Sequence, residues 1–591
     1  EHPGRGHSPV ENFCNMHRSN FLLLSPLLLL FATFSTPVKS AADPPDIPTP
    51  LHAEDRFLVR SAQAEYSRLY DTLSALVKEE YRGIRVEAAD DGETAHEVAA
   101  HAEPAISSIN EQSMHSGVLF EGDIRIPLPS LRRMIEDRLD EVAEDEEEEE
   151  EIASERDGVE GSGEEDVLTG RRKRTRRKVL RRADGKWTGG VIPFEFHPFI
   201  SLSARDAIQR AINFWQRETC VVFRPRFFDP TYLYFVAHDG CWSTVGKDDL
   251  QGQQWLSIGA GCEAFGVVVH ELGHALGLFH EQSRFDRDKY ISLDFSKVQN
   301  GMVYQFSKIS AREMMTYGLP YDVGSVMHYN PIEFSKSAKR PALRARDPYL
   351  QYTMGQLGEP SFIDVRMINE HYGCSRRCRR RISCLHQGYQ DPHNCGRCKC
   401  PSGFGGVRCE RVGASTIPRC GGTVRATTGL RQLHVHIRWS LFAADERRCV
   451  YHIVAPADTA YVEVRLVKVA ATCLYGCWKE GVEMKASKDP RVTGYRFCCP
   501  SHKGSRIIAR KRRVPIMIYA RRGDSNIIMH YRYEKRQKRQ NETESTGWPE
   551  GDAANDDDYE VGEDDKAVPF FAAPPQARIS TLDFEASDDA L

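Results

Sequence analysis

The sequence predicts a multidomain α+β protein, in which a mixed helix-and-strand domain precedes a short disulfide-rich module and a β-sandwich. Three observations carry that expectation. The 591 residues are too many for one domain, and three or four is the ordinary expectation. Residues 203–217 and the histidine-bearing stretch from His270 have helical spacing, whereas 221–223, 232–237 and 254–258 read as strands. Of 17 cysteines, six crowd between Cys378 and Cys409, ahead of β-rich runs such as 460–467 and 514–519. Such cysteine usage points to an oxidising compartment. The net charge of −5 gives no global field toward nucleic acid.

At the amino end, Met16 begins a short polar, basic start (His17-Arg18-Ser19-Asn20). The apolar run 21–34 follows, and Val38-Lys39-Ser40-Ala41 reads as a cleavage site after Ser40. Residues 16–40 are therefore expected to be a signal peptide for secretion; fourteen apolar residues are too few to span a bilayer. On this reading residues 1–15 lie ahead of the natural start, and loss of Cys14 leaves an even sixteen cysteines. No other run is expected to cross a membrane.

Residues 41–177 lack the composition of an enzyme core and read as a propeptide. Apolar positions at helical spacing over 56–80 predict a helix or two. Residues 137–166 are dominated by Asp and Glu, with an unbroken acidic run from Glu144 to Glu151, and are expected to be solvated and disordered. The basic block Arg171-Arg172-Lys173-Arg174-Thr175-Arg176-Arg177 fits Arg-x-Lys/Arg-Arg twice, the pattern cut by proprotein convertases. A nucleic-acid or heparin patch is the competing reading, and cleavage after Arg174, Arg177 or Arg182 stays open.

The chemistry lies in His270-Glu271-Leu272-Gly273-His274-Ala275-Leu276-Gly277-Leu278-Phe279-His280. On a helix, His270 and His274 sit one turn apart on one face, where two imidazoles can hold one zinc ion. Glu271 projects beside them, placed as a general base toward zinc-activated water. Gly277 lets the backbone leave the helix in a conformation that a β-carbon disfavours, and the turn brings His280 round as a third ligand. Three protein ligands leave a fourth position open, which suits catalysis better than a structural zinc. Upstream, Ala204, Ile208, Ala211, Ile212 and Trp215 form the apolar stripe of the helix over 203–217, with Ser203 and Asp206 as a capping pair.

The third histidine and the glycine make this the metzincin signature. Its continuation His280-Glu281-Gln282-Ser283-Arg284-Phe285-Asp286 and the downstream Ser325-Val326-Met327-His328-Tyr329 resemble the astacin family of zinc endopeptidases over residues 178–374. The resemblance implies a two-subdomain metzincin catalytic domain with one catalytic zinc on His270, His274 and His280. It makes Glu271 the general base, Tyr329 the hydroxyl that stabilises the charged intermediate, and Met327 the turn beneath the zinc. Counting back nine residues from Trp187 puts the mature amino terminus at Lys178, which Glu281 would anchor after activation. Phe120-Glu121-Gly122-Asp123 matches the family's Phe-x-Gly-Asp, so Asp123 is expected to ligate the zinc in the zymogen. The stretch Cys241-Trp242-Ser243-Thr244-Val245 resembles the edge strand that pairs with substrate. Implied disulfides are Cys220–Cys374 and Cys241–Cys262.

Residues 375–410 resemble an EGF-like module, implying pairs Cys378–Cys395, Cys384–Cys398 and Cys400–Cys409. Residues 420–533 resemble a CUB domain with Cys420–Cys449 as first pair. Cys473, Cys477, Cys498 and Cys499 exceed the usual CUB count and have no assigned pairing, and no acidic calcium cluster is evident. Residues 540–591 read as an acidic disordered tail, Arg536-Gln537-Lys538-Arg539 repeats the convertase pattern, and Asn541-Glu542-Thr543 is a glycosylation sequon. The expectation is a secreted zymogen, cut by a convertase, that hydrolyses cuticle or other matrix proteins. The alternative is a catalytically silent matrix-binding protein acting through the EGF-like and CUB-like modules.

Overall fold

The computed structural model describes residues 50–82, 105–111, 113, 117–140, 179–180, 185–248, 252–439, 446–457 and 460–535. The signal-peptide reading, the acidic run from Glu144, the basic block with Arg174, Arg177 and Lys178, Arg182, Asn541 and the tail lie outside these residues. The chain divides into units Glu1–Leu51 and His52–Leu591, and all described residues except Pro50 and Leu51 belong to the second. Among the described residues no helix is long and apolar enough to cross a membrane.

The amino-terminal segment is built on helix α1 (Pro50–Glu80). Tyr66, Tyr70, Leu73 and Val77 recur at helical spacing and are buried. With Phe120, Ile124 and Leu131, the first three form an apolar cluster around Phe279, Tyr304, Ile309 and Met314, while Val77 joins a second cluster with Ile291 and Phe306. Tyr70 stacks on Tyr304 at 4.2 Å, and the Tyr66 and Tyr70 hydroxyls donate to the carbonyls of Ile126 (2.7 Å) and Val118 (3.1 Å). Residues 128–140 are also helical, so helix extends into the beginning of the acid-rich stretch.

The next layer is a five-stranded sheet of β1 (Val191–Phe196), β2 (Val222–Pro225), β3 (Tyr232–Val236), β4 (Cys241–Trp242) and β5 (Gln253–Ile258), in the order β2-β1-β3-β5-β4. All pairings are parallel except that of the edge strand β4. Helices α2 (Leu202–Glu218) and α3 (Phe265–Ala275) join the sheet in one core. The cap of α2 differs from the expected pair: Ser201 accepts from Ala204 N at 3.1 Å, while Asp206 pairs with Arg210. Trp215 is fully buried and donates its indole N–H to Val269 O at 3.1 Å, tying α2 to α3.

After α3, loops and short 3₁₀ turns lead to α4 (Phe362–His371). Its capping box joins Ser361 and Asp364. The Asp364 carboxylate does more than cap: Oδ1 accepts from Ser325 Oγ (2.6 Å) and Oδ2 from Val326 N (3.0 Å). Cys220 is bonded to Cys374 and Cys241 to Cys262.

In the segment expected to resemble an EGF-like module, Cys378–Cys395, Cys384–Cys398 and Cys400–Cys409 staple two small hairpins. Beyond it, β6 (Gly422–Arg425), β7 (Arg431–Ile437), β8 (Arg447–Val454), β9 (Ala460–Ala470), β10 (Glu480–Met484), β11 (Tyr495–Phe497), β12 (Arg506–Ala509), β13 (Arg513–Ala520) and β14 (Ser525–Lys535) make two sheets. Their orders are β6-β8-β13-β10-β11 and β7-β14-β9-β12, with residues of both in one apolar cluster. Cys420 pairs with Cys449, and the four cysteines left open pair as Cys473–Cys499 and Cys477–Cys498. This double staple holds loops that meet the preceding helix-and-strand domain. Thr493 donates its N–H (2.9 Å) and hydroxyl (3.1 Å) to the buried Asp322 carboxylate, and Tyr495 donates to Asp347 (2.7 Å).

Asp364→Ala removes the helix cap and two bonds to the 325–326 turn together. The expected loss is about 2–4 kcal/mol of unfolding free energy, read from the urea midpoint of the purified chain.

Candidate metal centre

The apolar run Phe265-Gly266-Val267-Val268-Val269 drives α3 into the interior, and every residue from Gly266 to Ala275 is buried. His270 and His274 ride on this helix. Gly277 has φ 110°, the left-handed region, and from there the chain turns so that His280 faces the same point. Each Nδ1 is engaged: His270 with Val326 O, His274 with Leu278 O and His280 with Glu121 Oε2, all at 2.8 Å. A carbonyl or carboxylate partner requires a proton on Nδ1, which leaves the Nε2 lone pairs directed inward.

Asp123 completes the group. Its carboxylate lies 3.2 Å from His270 Nε2, 3.5 Å from His274 Nε2 and 3.3 Å from His280 Nε2, and His270 and His274 Nε2 are 3.0 Å apart. Four donors at about 2.05 Å around a tetrahedral zinc are separated by about 3.3 Å, so these groups fit that ion. Among the described residues this is the one such cluster of three or more potential metal ligands.

The electrostatics agree with a cation site. Burial pushes His274 down to about 4, so its imidazole is neutral, as a ligand must be. Burial acts the same way on His280, but the Asp123 carboxylate beside Nε2 and the Glu121 carboxylate beside Nδ1 lift it to about 10. Burial opposes ionisation of Asp123, yet the three imidazoles hold it well below the usual carboxylate range.

Glu271 is fully buried, and neither of its carboxylate oxygens has a hydrogen-bond partner. Burial, and then the charge of Asp123, raises it well above an ordinary glutamate. The Tyr329 hydroxyl is likewise buried and unpaired, and its ring lies 4.9 Å from that of His280. Met327 is fully buried beneath, its Sδ 3.1 Å from where a β-carbon on Gly273 would lie. Glu281 is occupied: its Oε1 accepts from Asp322 N (2.8 Å) and Arg284 (3.1 Å). Residues Val179–Leu180 pair with Met314–Met315.

The loop carrying Asp123 reaches the centre by joining the sheet. Ser243 N donates to Asp123 O (3.0 Å) and Arg125 N to Ser243 O (2.9 Å), continuing the edge beyond β4 in parallel. Sequence reasoning missed three polar residues around this loop: Asn110, which donates to Gly122 O and to Cys241 O, Gln305, which accepts from Gly122 N, and Glu333, which accepts from the Ser107 hydroxyl. Their contacts link residues 131, 183 and 226 positions apart, which no local pattern signals.

The family model for astacin peptidases matches residues 179–373. Zinc metalloproteinase nas-29 of Caenorhabditis elegans is 41% identical over 470 residues, covering 79% of this chain and 84% of that protein. The chain belongs to the astacin family. Zinc metalloproteinase nas-23 of the same organism is 37% identical over 468 residues, 78% of this astacin and 80% of the relative. Among solved structures, high choriolytic enzyme 1, a hatching-enzyme zinc protease from the medaka fish Oryzias latipes, is 32% identical. It covers 32% of this chain and 92% of that one at a TM-score of 0.30. This astacin is thus a zinc metalloendopeptidase, a hydrolase of peptide bonds with one catalytic zinc. His274→Ala is expected to lower zinc affinity by more than about 100-fold, read as metal content after dialysis.

Proposed function

We propose that this astacin is exported as a zymogen, activated by convertase cleavage near Arg174, Arg177 or Arg182, and then cuts extracellular cuticle or matrix proteins. Its EGF-like and CUB-like modules, residues 375–410 and 420–533, follow the catalytic domain. The reading rests above all on Asp123, whose carboxylate sits among all three histidines on a segment that precedes the basic block. That segment is held by more than one loop. Glu80 pairs with Arg138 (2.5 Å) and Lys308, and Tyr81 donates to Asp288, so α1 is fixed to the catalytic domain.

Once Asp123 leaves, His270, His274 and His280 hold the zinc. Bound there, the ion supplies Lewis acidity, which acidifies water and polarises a peptide carbonyl. The chain's own residues do the rest. β4 offers its edge to the substrate backbone, as it now does to residues 123–125. Glu271, with no partner to restrain its proton traffic, takes a proton from the attacking water and passes it to the leaving amine. The Tyr329 hydroxyl donates to the oxyanion.

Processed wild type is expected to cleave casein or collagen in a chelator-sensitive way, while the unprocessed chain is silent. Glu271→Ala should lower kcat by about 10²–10⁴-fold with zinc content unchanged. Full activity in Glu271→Ala would remove the general-base role. Zinc-loaded, processed wild type that cut nothing would favour a matrix-binding protein instead. Asp123→Ala should give the unprocessed chain measurable activity; silence equal to the unprocessed wild type would show that Asp123 does not hold the zymogen shut.

A further inference from the structure

The amino-terminal segment touches both walls of the cleft beside the metal centre. On one wall Asn110 treats β4 as a neighbouring strand would: Cys241 N donates to its Oδ1 (2.8 Å), and its Nδ2 donates to Cys241 O (2.6 Å). On the other wall, three residues earlier, the Ser107 hydroxyl donates to the carboxylate of Glu333. Residues 106–110 form a single short helix, so one turn of chain spans the gap. The loop with Asp123 lies against it. Asn110 Nδ2 also donates to Gly122 O (2.8 Å), and a β-carbon on Gly122 would lie 3.4 Å from Ser107 Cβ.

Glu333 is buried under this turn. Its second oxygen accepts from Asn330 Nδ2 at 2.5 Å. It follows Tyr329 by four residues, and the next ring, Phe334, is 5.8 Å from that of Tyr329. Burial lifts the carboxyl to about 7, with Ser107 opposing. When the covering segment leaves, that cause goes with it and the carboxylate returns toward its ordinary range. It then retains Asn330 but has lost its second donor.

We propose that Glu333 is a specificity-determining residue, the floor of a substrate subsite near the scissile bond that selects lysine or arginine and rejects aspartate and glutamate. This rests on the zymogen reading above. A peptide that pairs with Cys241 as Asn110 does carries a side chain where Ser107 stands. A cationic side chain there makes a charge-assisted hydrogen bond to a half-sheltered carboxylate. An acidic one meets like charge at short range, where sparse water screens the repulsion poorly. Ser107 is a neutral donor and so the weaker occupant, which suits a segment that must later depart.

The experiment is cleavage of a peptide set that differs only in the residues flanking the scissile bond, by processed full-length chain. For wild type, at one position, lysine and arginine peptides should exceed the glutamate peptide by at least about tenfold in kcat/KM, with serine between. Raising the salt from about 50 mM to about 500 mM should shrink that ratio in wild type, a readout that needs no variant. Glu333→Gln should reduce the lysine-to-glutamate ratio to within about threefold, and Glu333→Lys should invert it. A wild type with no charge preference at any position overturns the inference while leaving the protease reading intact. So does a ratio that Glu333→Gln and Glu333→Lys leave unchanged. If wild type cleaves no peptide at all, the proposed function falls first and this inference with it.

Discussion

Three imidazoles can present their lone pairs to one point only if something holds their other nitrogens, and in this chain that requirement shapes everything around the cleft. Val326 O and Leu278 O fix His270 and His274. The carbonyl of Val326 is itself in place because its amide and Ser325 are tied to Asp364, the cap of a distant helix. Gly277 is needed for the turn that returns His280, and the buried Met327 fills the space under α3. The geometry of these two ligands is thus inherited from backbone carbonyls, which cannot be exchanged by mutating a side chain. Hydrogen bonds to the far ring nitrogen set a ligand's orientation and basicity, and so matter alongside the identity of the ligand itself.

On the proposed zymogen reading, Asp123 uses the same geometry to keep the site shut. A carboxylate removed from water is costly unless its charge is met, and here three imidazoles meet it. The loop is then carried by the sheet edge, by Asn110 and Gln305, and by the apolar face of α1. Local electrostatics and distant packing therefore work on the same loop. Freeing Asp123 requires both to be undone.

Much of this is legible in the chain. The helix with two histidines one turn apart, the glycine and the third histidine are a local pattern, and local patterns survive folding. The strands at 222–225, 232–236 and 253–258 lie within a residue or two of their expected ranges. The capping pattern favours Ser203, with Asp206 three residues on, but the helix starts at Leu202 and Ser201 caps it; the two serine hydroxyls lie 3.0 Å apart. The pairing of Cys473, Cys477, Cys498 and Cys499 is not legible, since four cysteines allow three connectivities and only the folded loops choose. Glu333 reads as an ordinary loop residue, because its meaning depends on a serine 226 positions away.

The contact between Thr493 and Asp322 bears on how such chains are assembled from modules. Asp322 is a buried carboxylate of the catalytic domain whose two oxygens are both satisfied by the β-sandwich, and its own amide donates to Glu281 beside His280. A catalytic domain that relies on its neighbour in this way is no longer freely interchangeable. Swapping in a different carboxy-terminal module would leave this buried carboxylate with the amide of Gly324 (3.1 Å) but without both Thr493 donors. Shuffling of this domain therefore favours partners that bring a hydrogen-bond donor to the same spot.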